Sequence, residues 1–290
     1  MNNQLKTLLL LGALSVLLVA LGGAIGGRAL PVFLILALGM NLAGYLWSDA
    51  LVLRMSGARV IDETEAPALH AMVHELADRA GLPMPRIAVV ADPTPNAFAT
   101  GRSPARAVVA VTEGLMRLTN PRELRGVLAH ELAHVKNRDT LIATIAAAGA
   151  TAISYLANAI QWGAIFGSGR HGDDDGGARS QGGGLLMAFV APIAATMLQL
   201  GIRRSREYMA DEYAARLTGD PEGLAAALGK LQSYGEQLLA RGAPGPQPVT
   251  ASLSIVNPLA GGGMFRLFAT HPPIADRIAR LLDMRGQFAA

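Results

Sequence analysis

The chain has no cysteine. That excludes a disulfide framework, a thiolate nucleophile, an iron–sulfur cluster and a cysteine zinc finger. Any zinc would have to be held by His, Asp or Glu. Charge is also scarce. Of 290 residues, 16% are charged and 51% are hydrophobic, whereas a soluble domain carries about 25% charged residues. That shortfall argues against an ordinary soluble protein and against a disordered one. The net charge is only +3 and no concentrated basic stripe is present, so nucleic acid is not an expected partner. There is no internal repeat. The length suits one large domain or two ordinary ones.

The apolar residues lie in runs. Residues 7–27, 29–48, 140–169 and 180–202 carry no charge. A spanning helix needs about 20 apolar residues. The first two runs are separated by Arg28 alone and read as a helical hairpin within residues 1–53. The second run closes near Tyr45 and Trp47, side chains that favour the headgroup level. The last two runs are rich in Ala and Gly, which suits close helix packing in a bilayer. They read as a second hairpin over 140–202, with a loop at 169–180. Lys6 followed by an apolar run could open a signal peptide. The run is long for that, and another follows at once, so an uncleaved anchor is expected. With four spans, Lys and Arg divide 22 to 3 across the two sides. The positive-inside rule then places both termini and both large polar segments in the cytoplasm. The flanking charges agree: Arg54 and Arg59, Lys136 and Arg138, and Arg203, Arg204 and Arg206 fall on one side.

The polar segments, 54–139 and 203–290, would fold together as one domain. Apolar spacing predicts a helix over 65–80, stopped by Gly81. Short strands are predicted at 87–90, 97–100 and 107–112. Asn120-Pro121 reads as a helix start, with Pro at the first helical position. Further helices are expected over 203–218, 220–239 and from about 274. The whole is expected to be a mainly α membrane protein: four transmembrane helices plus a mixed α+β domain with a small sheet.

His130-Glu131-Leu132-Ala133-His134 sits inside the helix that starts near Pro121. Positions i and i+4 share a helix face, so both imidazoles can reach one cation. Such a set suits zinc, and Glu131 is placed to take a proton from water. A third ligand is needed. Glu207 is the best candidate, because a hairpin between His134 and Glu207 would bring both to one membrane face. Asp211, one turn on, could accept a hydrogen bond from a ligand imidazole and fix its tautomer; Asp211 and Glu212 are the next candidates for the ligand itself. The strand at Ala97 to Thr100 has a backbone suited to pairing with an extended peptide. His70 and His74 also stand at i and i+4 but have no third partner, and read as helix surface. His171 lies in a Gly-rich polar loop.

These motifs resemble a family. Asn96-Ala97-Phe98-Ala99-Thr100-Gly101, His130 to His134, Arg206-Glu207-Tyr208-Met209-Ala210-Asp211 and Thr270-His271-Pro272-Pro273 occur in the order seen in the HtpX family of bacterial membrane-bound zinc metallopeptidases. More broadly the chain is similar to the family that includes the CAAX-prenyl endopeptidases. The resemblance implies a gluzincin-type catalytic domain. It implies one zinc ion on His130, His134 and Glu207, with Glu131 as general base. It implies that His271 and Arg277 stabilise the oxyanion and that Asn96, with Ala97 and Phe98, holds substrate backbone. It also implies a role in quality control of misfolded or damaged membrane proteins at the cytoplasmic face of the inner membrane. The competing readings are a membrane transporter and an inactive zinc-binding scaffold. Ionisable groups within the spans would favour the first, and none is present; the intact Glu131 speaks against the second.

Overall fold

A computed structural model describes residues 30–139, 204–241 and 272–287, together with residues 12, 15, 16 and 19. The apolar runs at 140–169 and 180–202, most of the run at 7–27, the 169–180 loop and His271 lie outside the described residues.

The run expected at 29–48 forms the greater part of a longer helix, α1 (Leu30–Met55), kinked at Trp47. Its early turns expose Val32, Leu34, Ile35, Leu38 and Leu42. Among the described residues, no helix is long and apolar enough to cross a membrane. The last turns of α1 enter the polar domain. Val52 and Leu53 pack on a sheet, and Asp49 pairs with Arg86 at 3.0 Å.

The sheet has four strands: β1 (Ala58–Ile61), β2 (Arg86–Val90), β3 (Ala97–Thr100) and β4 (Val108–Thr112), in the order β1-β2-β4-β3. The β2–β4 pair is parallel and the other two are antiparallel. Alternation fixes which residues face which layer. Ala88, Val90, Phe98, Val108 and Ala110 face the end of α1. Ile87, Ala97, Ala99, Val109 and Val111 face the main core. β4 is buried at every position, as expected of a strand covered on both faces. β3 is left at the edge of the sheet.

Helices cover the second face. α2 (Pro67–Ala80) buries Leu69, Val73, Leu76, Ala77 and Ala80, and Gly81 closes it in the left-handed conformation, φ 65°. It starts at Pro67 rather than at 65, because Asp62 Oδ1 accepts the backbone N–H of Thr64 and Glu65 and holds them in a turn. Two short elements escaped the sequence reading. β1 buries only Ile61, so it carries no alternating signal. The six-residue α3 (Glu113–Leu118) depends on the Thr112 hydroxyl, which accepts the Leu115 N–H.

α4 (Pro121–Lys136) is the central helix. Asn120 and Glu123 form a reciprocal capping box, and Pro121 stands at the first position. α4 packs on β3 and β4, on α5 (Arg204–Thr218) and on α6 (Pro221–Ala240). Gly126 permits the approach to α6: a Cβ there would lie 2.8 Å from the Leu224 backbone nitrogen. Arg122 spans the same junction, bonding Asp220 at 2.5 and 2.6 Å and Glu222 at 3.0 Å. α7 (Ile274–Asp283) closes the core with Ile278, Leu281 and Leu282 against α6, and it inserts Arg277 beneath α5.

Candidate metal centre

The capping box fixes where α4 begins, and its apolar face fixes its rotation. Val127, Leu128, Leu132 and Val135 are buried. That turns His130 and His134 towards α5. Their rings meet edge to face at 4.8 Å, with the two Nε2 atoms 3.2 Å apart. Glu207 comes from the first turn of α5. Its carboxylate lies 3.6 Å from His130 Nε2 and 3.5 Å from His134 Nε2. Three donors 2.0–2.1 Å from a tetrahedral cation would stand about 3.3 Å apart. Two imidazoles and a carboxylate at 3.2, 3.5 and 3.6 Å therefore fit one divalent ion. Among the described residues no other group of His, Asp and Glu does so.

Further contacts orient the donors. Asp211 Oδ1 lies 2.9 Å from His130 Nδ1. Arg277, fully buried, forks onto Asp211 with two bonds of 2.7 Å, and its Nη1 lies 3.5 Å from Glu207. Burial alone would raise the Asp211 carboxyl, but the Arg277 guanidinium outweighs it and holds the group below its ordinary value. Burial opposes charge on His130, yet the Asp211 and Glu207 carboxylates prevail and push the imidazole up to about 9. Glu131, next to the ligand face, is also buried. Burial pushes its carboxyl up, and the two imidazoles draw it back only in part. It accepts a hydrogen bond from the Ala99 backbone on β3. Glu131 and the edge strand thus touch, helped by the small side chains of Ala97 and Ala99.

The structure brings together His130, Glu131, His134, Glu207, Asp211 and Arg277 from three separated stretches of sequence. Arg277 reaches the site from behind, its fork on Asp211 rather than on open space. Asn96 sits at the start of β3, its backbone tied to Thr112: its N–H donates to the hydroxyl at 2.8 Å, and its carbonyl accepts the Thr112 N–H at 2.9 Å. Phe98 points to the α1 side of the sheet. Glu212 is exposed and pairs with Arg216. His74 pairs with Asp78 on the surface of α2. His271 lies outside the described residues.

Two residues were missed. Asp139 Oδ2 lies 3.4 Å from His134 Nδ1, and Arg206 bonds Asp139 Oδ1 at 3.0 Å. By sequence Arg206 is a flanking positive charge; the structure draws it into the cluster, its side chain only 11% exposed. Its place next to Glu207 was the available signal. Lys136, counted with it, donates to the Ala80 carbonyl and the Tyr213 hydroxyl.

A cation site shared between a His-Glu-x-x-His helix and a carboxylate on a later helix, with a buried Glu beside an edge strand, defines a metallopeptidase. The sequence as a whole makes the family particular: residues 63–285 match the model of peptidase family M48, and the chain belongs to that family. A protease HtpX homolog of Pelotomaculum thermopropionicum is 53% identical over 283 residues, covering 97% of this chain and 99% of the relative. Another, of Paraburkholderia phytofirmans, is 48% identical over 289 residues, covering 98% of each. A crystal structure of S. mikatae Ste24p is similar with a TM-score of 0.49 and 20% identity, over 85% of this chain and 57% of that one.

Proposed function

We propose that the chain is a membrane-anchored zinc endopeptidase that cleaves misfolded or damaged membrane proteins at the cytoplasmic face of the bacterial inner membrane. The observation that carries the zinc assignment is the triangle of His130, His134 and Glu207. Two imidazoles and one carboxylate form a donor set suited to zinc, and three protein ligands leave a fourth position for water or substrate. A bound zinc ion would supply Lewis acidity to the scissile carbonyl and to water.

The chain's own residues do the rest. Glu131 takes the proton of the attacking water and passes it to the leaving amine. A carboxyl raised by burial is a stronger base than an ordinary glutamate. The open edge of β3 offers backbone groups to an extended substrate, with Asn96, Ala97 and Phe98 along it. His271 stabilises the oxyanion, Arg277 fixes Asp211 from behind the donors, and Asp211 holds His130 in the tautomer that presents Nε2 to the cation.

The membrane part of the reading rests on the uncharged runs and on α1, whose early turns expose large apolar side chains in several directions. A surface of that kind is costly in water. α1 then enters the catalytic domain directly, so the site stands near the bilayer.

A chelator should abolish cleavage of an unfolded test protein such as casein, and zinc should restore it. Glu131→Gln should retain the metal and lose turnover. Cleavage by Glu131→Gln at the wild-type rate would refute the mechanism. A reporter after Ala290 should read as cytoplasmic and one within 169–180 as lying on the far side. A cytoplasmic 169–180 loop would refute the four-span topology while leaving the zinc chemistry intact.

A further inference from the structure

Each imidazole of the ligand pair is backed by a carboxylate, and each carboxylate by an arginine. On the His130 side these are Asp211 and Arg277. On the His134 side they are Asp139 and Arg206, at 3.4 and 3.0 Å. The second pair is also sequestered: the side chains of Asp139 and Arg206 are 9% and 11% exposed.

The backbone is bent to make this contact. α4 ends at Lys136, and Arg138 then adopts φ 56°. That left-handed conformation is unfavourable for a non-glycine residue. Continued helix would carry residue 139 about 7.5 Å along the axis from His134. The turn at Arg138 instead returns Asp139 to face the imidazole. Strain of this kind persists only where surrounding contacts enforce it, and the Arg206 bond is one of them.

We infer that Asp139, held by Arg206, is the positioning group of His134. Its carboxylate accepts the Nδ1 proton, so that Nε2 presents its lone pair towards Glu207 and the cation. The same ion pair sets the spacing of two ligands, since Asp139 follows the helix that carries His134 and Arg206 immediately precedes Glu207. Asp139 immediately precedes the uncharged run at 140–169 and Arg206 follows the one at 180–202, so the pair joins the stretches that flank the expected second hairpin. This inference rests on His130, His134 and Glu207 holding a divalent cation.

The test is metal binding by the full chain in detergent, stripped of metal and titrated with zinc against a chromophoric chelator, and with cobalt by visible absorption. Asp139→Asn should weaken zinc binding about 10- to 100-fold, as loss of a partner to a ligand histidine does, and should shift the cobalt spectrum. Arg206→Gln should weaken it less. The double variant should bind no more weakly than Asp139→Asn alone, because Arg206 acts through Asp139. Wild-type zinc affinity and an unchanged cobalt spectrum in Asp139→Asn would overturn the inference. Fully additive losses would overturn the role given to Arg206. Should Asp139→Asn fail to fold, Asp139→Glu keeps the charge and displaces it by one methylene; an unshifted cobalt spectrum there would again refute the positioning role. A wild-type chain that binds neither metal would refute the reading of the site itself, a result distinct from a wild type and variant that bind alike.

Discussion

Replacing Arg277 by Met keeps an unbranched stem and removes the guanidinium. In the structure that group is fully buried, gives Asp211 two bonds of 2.7 Å and lies 3.5 Å from Glu207. Without it, Asp211 loses both guanidinium bonds and keeps only His130, 2.9 Å away. Breaking a buried pair from one side costs about 3–5 kcal/mol, a large share of the roughly 5–15 kcal/mol that holds a domain folded. The midpoint of thermal unfolding should fall by about 6–20 °C, at about 2–4 °C per kcal/mol. The assay is thermal or denaturant unfolding of the chain with chelator present, so that metal linkage does not enter. Arg277→Lys should fall between wild type and Arg277→Met, since an ammonium keeps the charge and loses the fork. The double variant Arg277→Met/Asp211→Leu should recover part of the loss, because Asp211 is no longer stranded while Glu207 still lacks its guanidinium neighbour. The pH dependence has a definite sign. In the wild type the Asp211 carboxyl lies below its ordinary 3.8. Its contribution is therefore present above about 3.8 and lost as pH falls through the lower folded value. In Arg277→Met burial acts unopposed by the guanidinium and raises the carboxyl, so the penalty grows as pH rises. The gap between the two proteins should be widest at neutral pH and narrow on acidification. A Met variant within about 1 kcal/mol of wild type at pH 7 would refute the reasoning, since the expected loss is several times larger.

Glu131→Gln should raise the stability of the metal-stripped chain at neutral pH, because burial holds that carboxyl above its ordinary value and an amide pays no charging penalty; the gain should vanish as pH falls towards the ordinary 4.5, and a gain independent of pH would count against it. Glu207→Ala should lower zinc content, measured by atomic absorption, more than Asp211→Ala does, and equal zinc in Glu207→Ala and wild type would move the third ligand elsewhere. Gly126→Val should destabilise the chain by about 1–3 kcal/mol through overpacking against the Leu224 backbone; denaturant unfolding would show an unchanged midpoint if that contact were slack.

The helices were legible where apolar spacing and a start signal coincide. α4 carries both, and Asn120-Pro121 with Glu123 marks its first turn. The histidine pair was legible for the same reason: the spacing of His130 and His134 is a property of one helix. Glu207 required an argument about a hairpin, and Arg277 a resemblance, because no local pattern relates residues on separate helices. Asp139 carried no pattern, and Arg206 only its place beside Glu207. Their pairing depends on a left-handed residue at Arg138 and on the packing of α5 against α4. Sequence periodicity encodes neither. β1 was missed for a simpler reason: three of its four residues lie on an uncovered surface, so burial leaves no mark on their identity.

The distance in sequence between the members of each clamp has a temporal meaning. Asp139 and Arg206 are 67 residues apart, and Asp211 and Arg277 are 66 apart. At about 5–20 residues per second of synthesis, each interval lasts roughly 3–13 s. A ribosome-bound chain thus carries His130 and His134 for many seconds before Glu207 exists, and Glu207 and Asp211 for many more before Arg277 arrives to neutralise them. Throughout that interval the nascent chain lacks one or more of the groups that meet at the centre in the folded structure. The guanidinium that arrives last is also the one whose charge lets the two buried carboxylates stay together. Assembly of the full cluster is therefore deferred until Arg277 has been made.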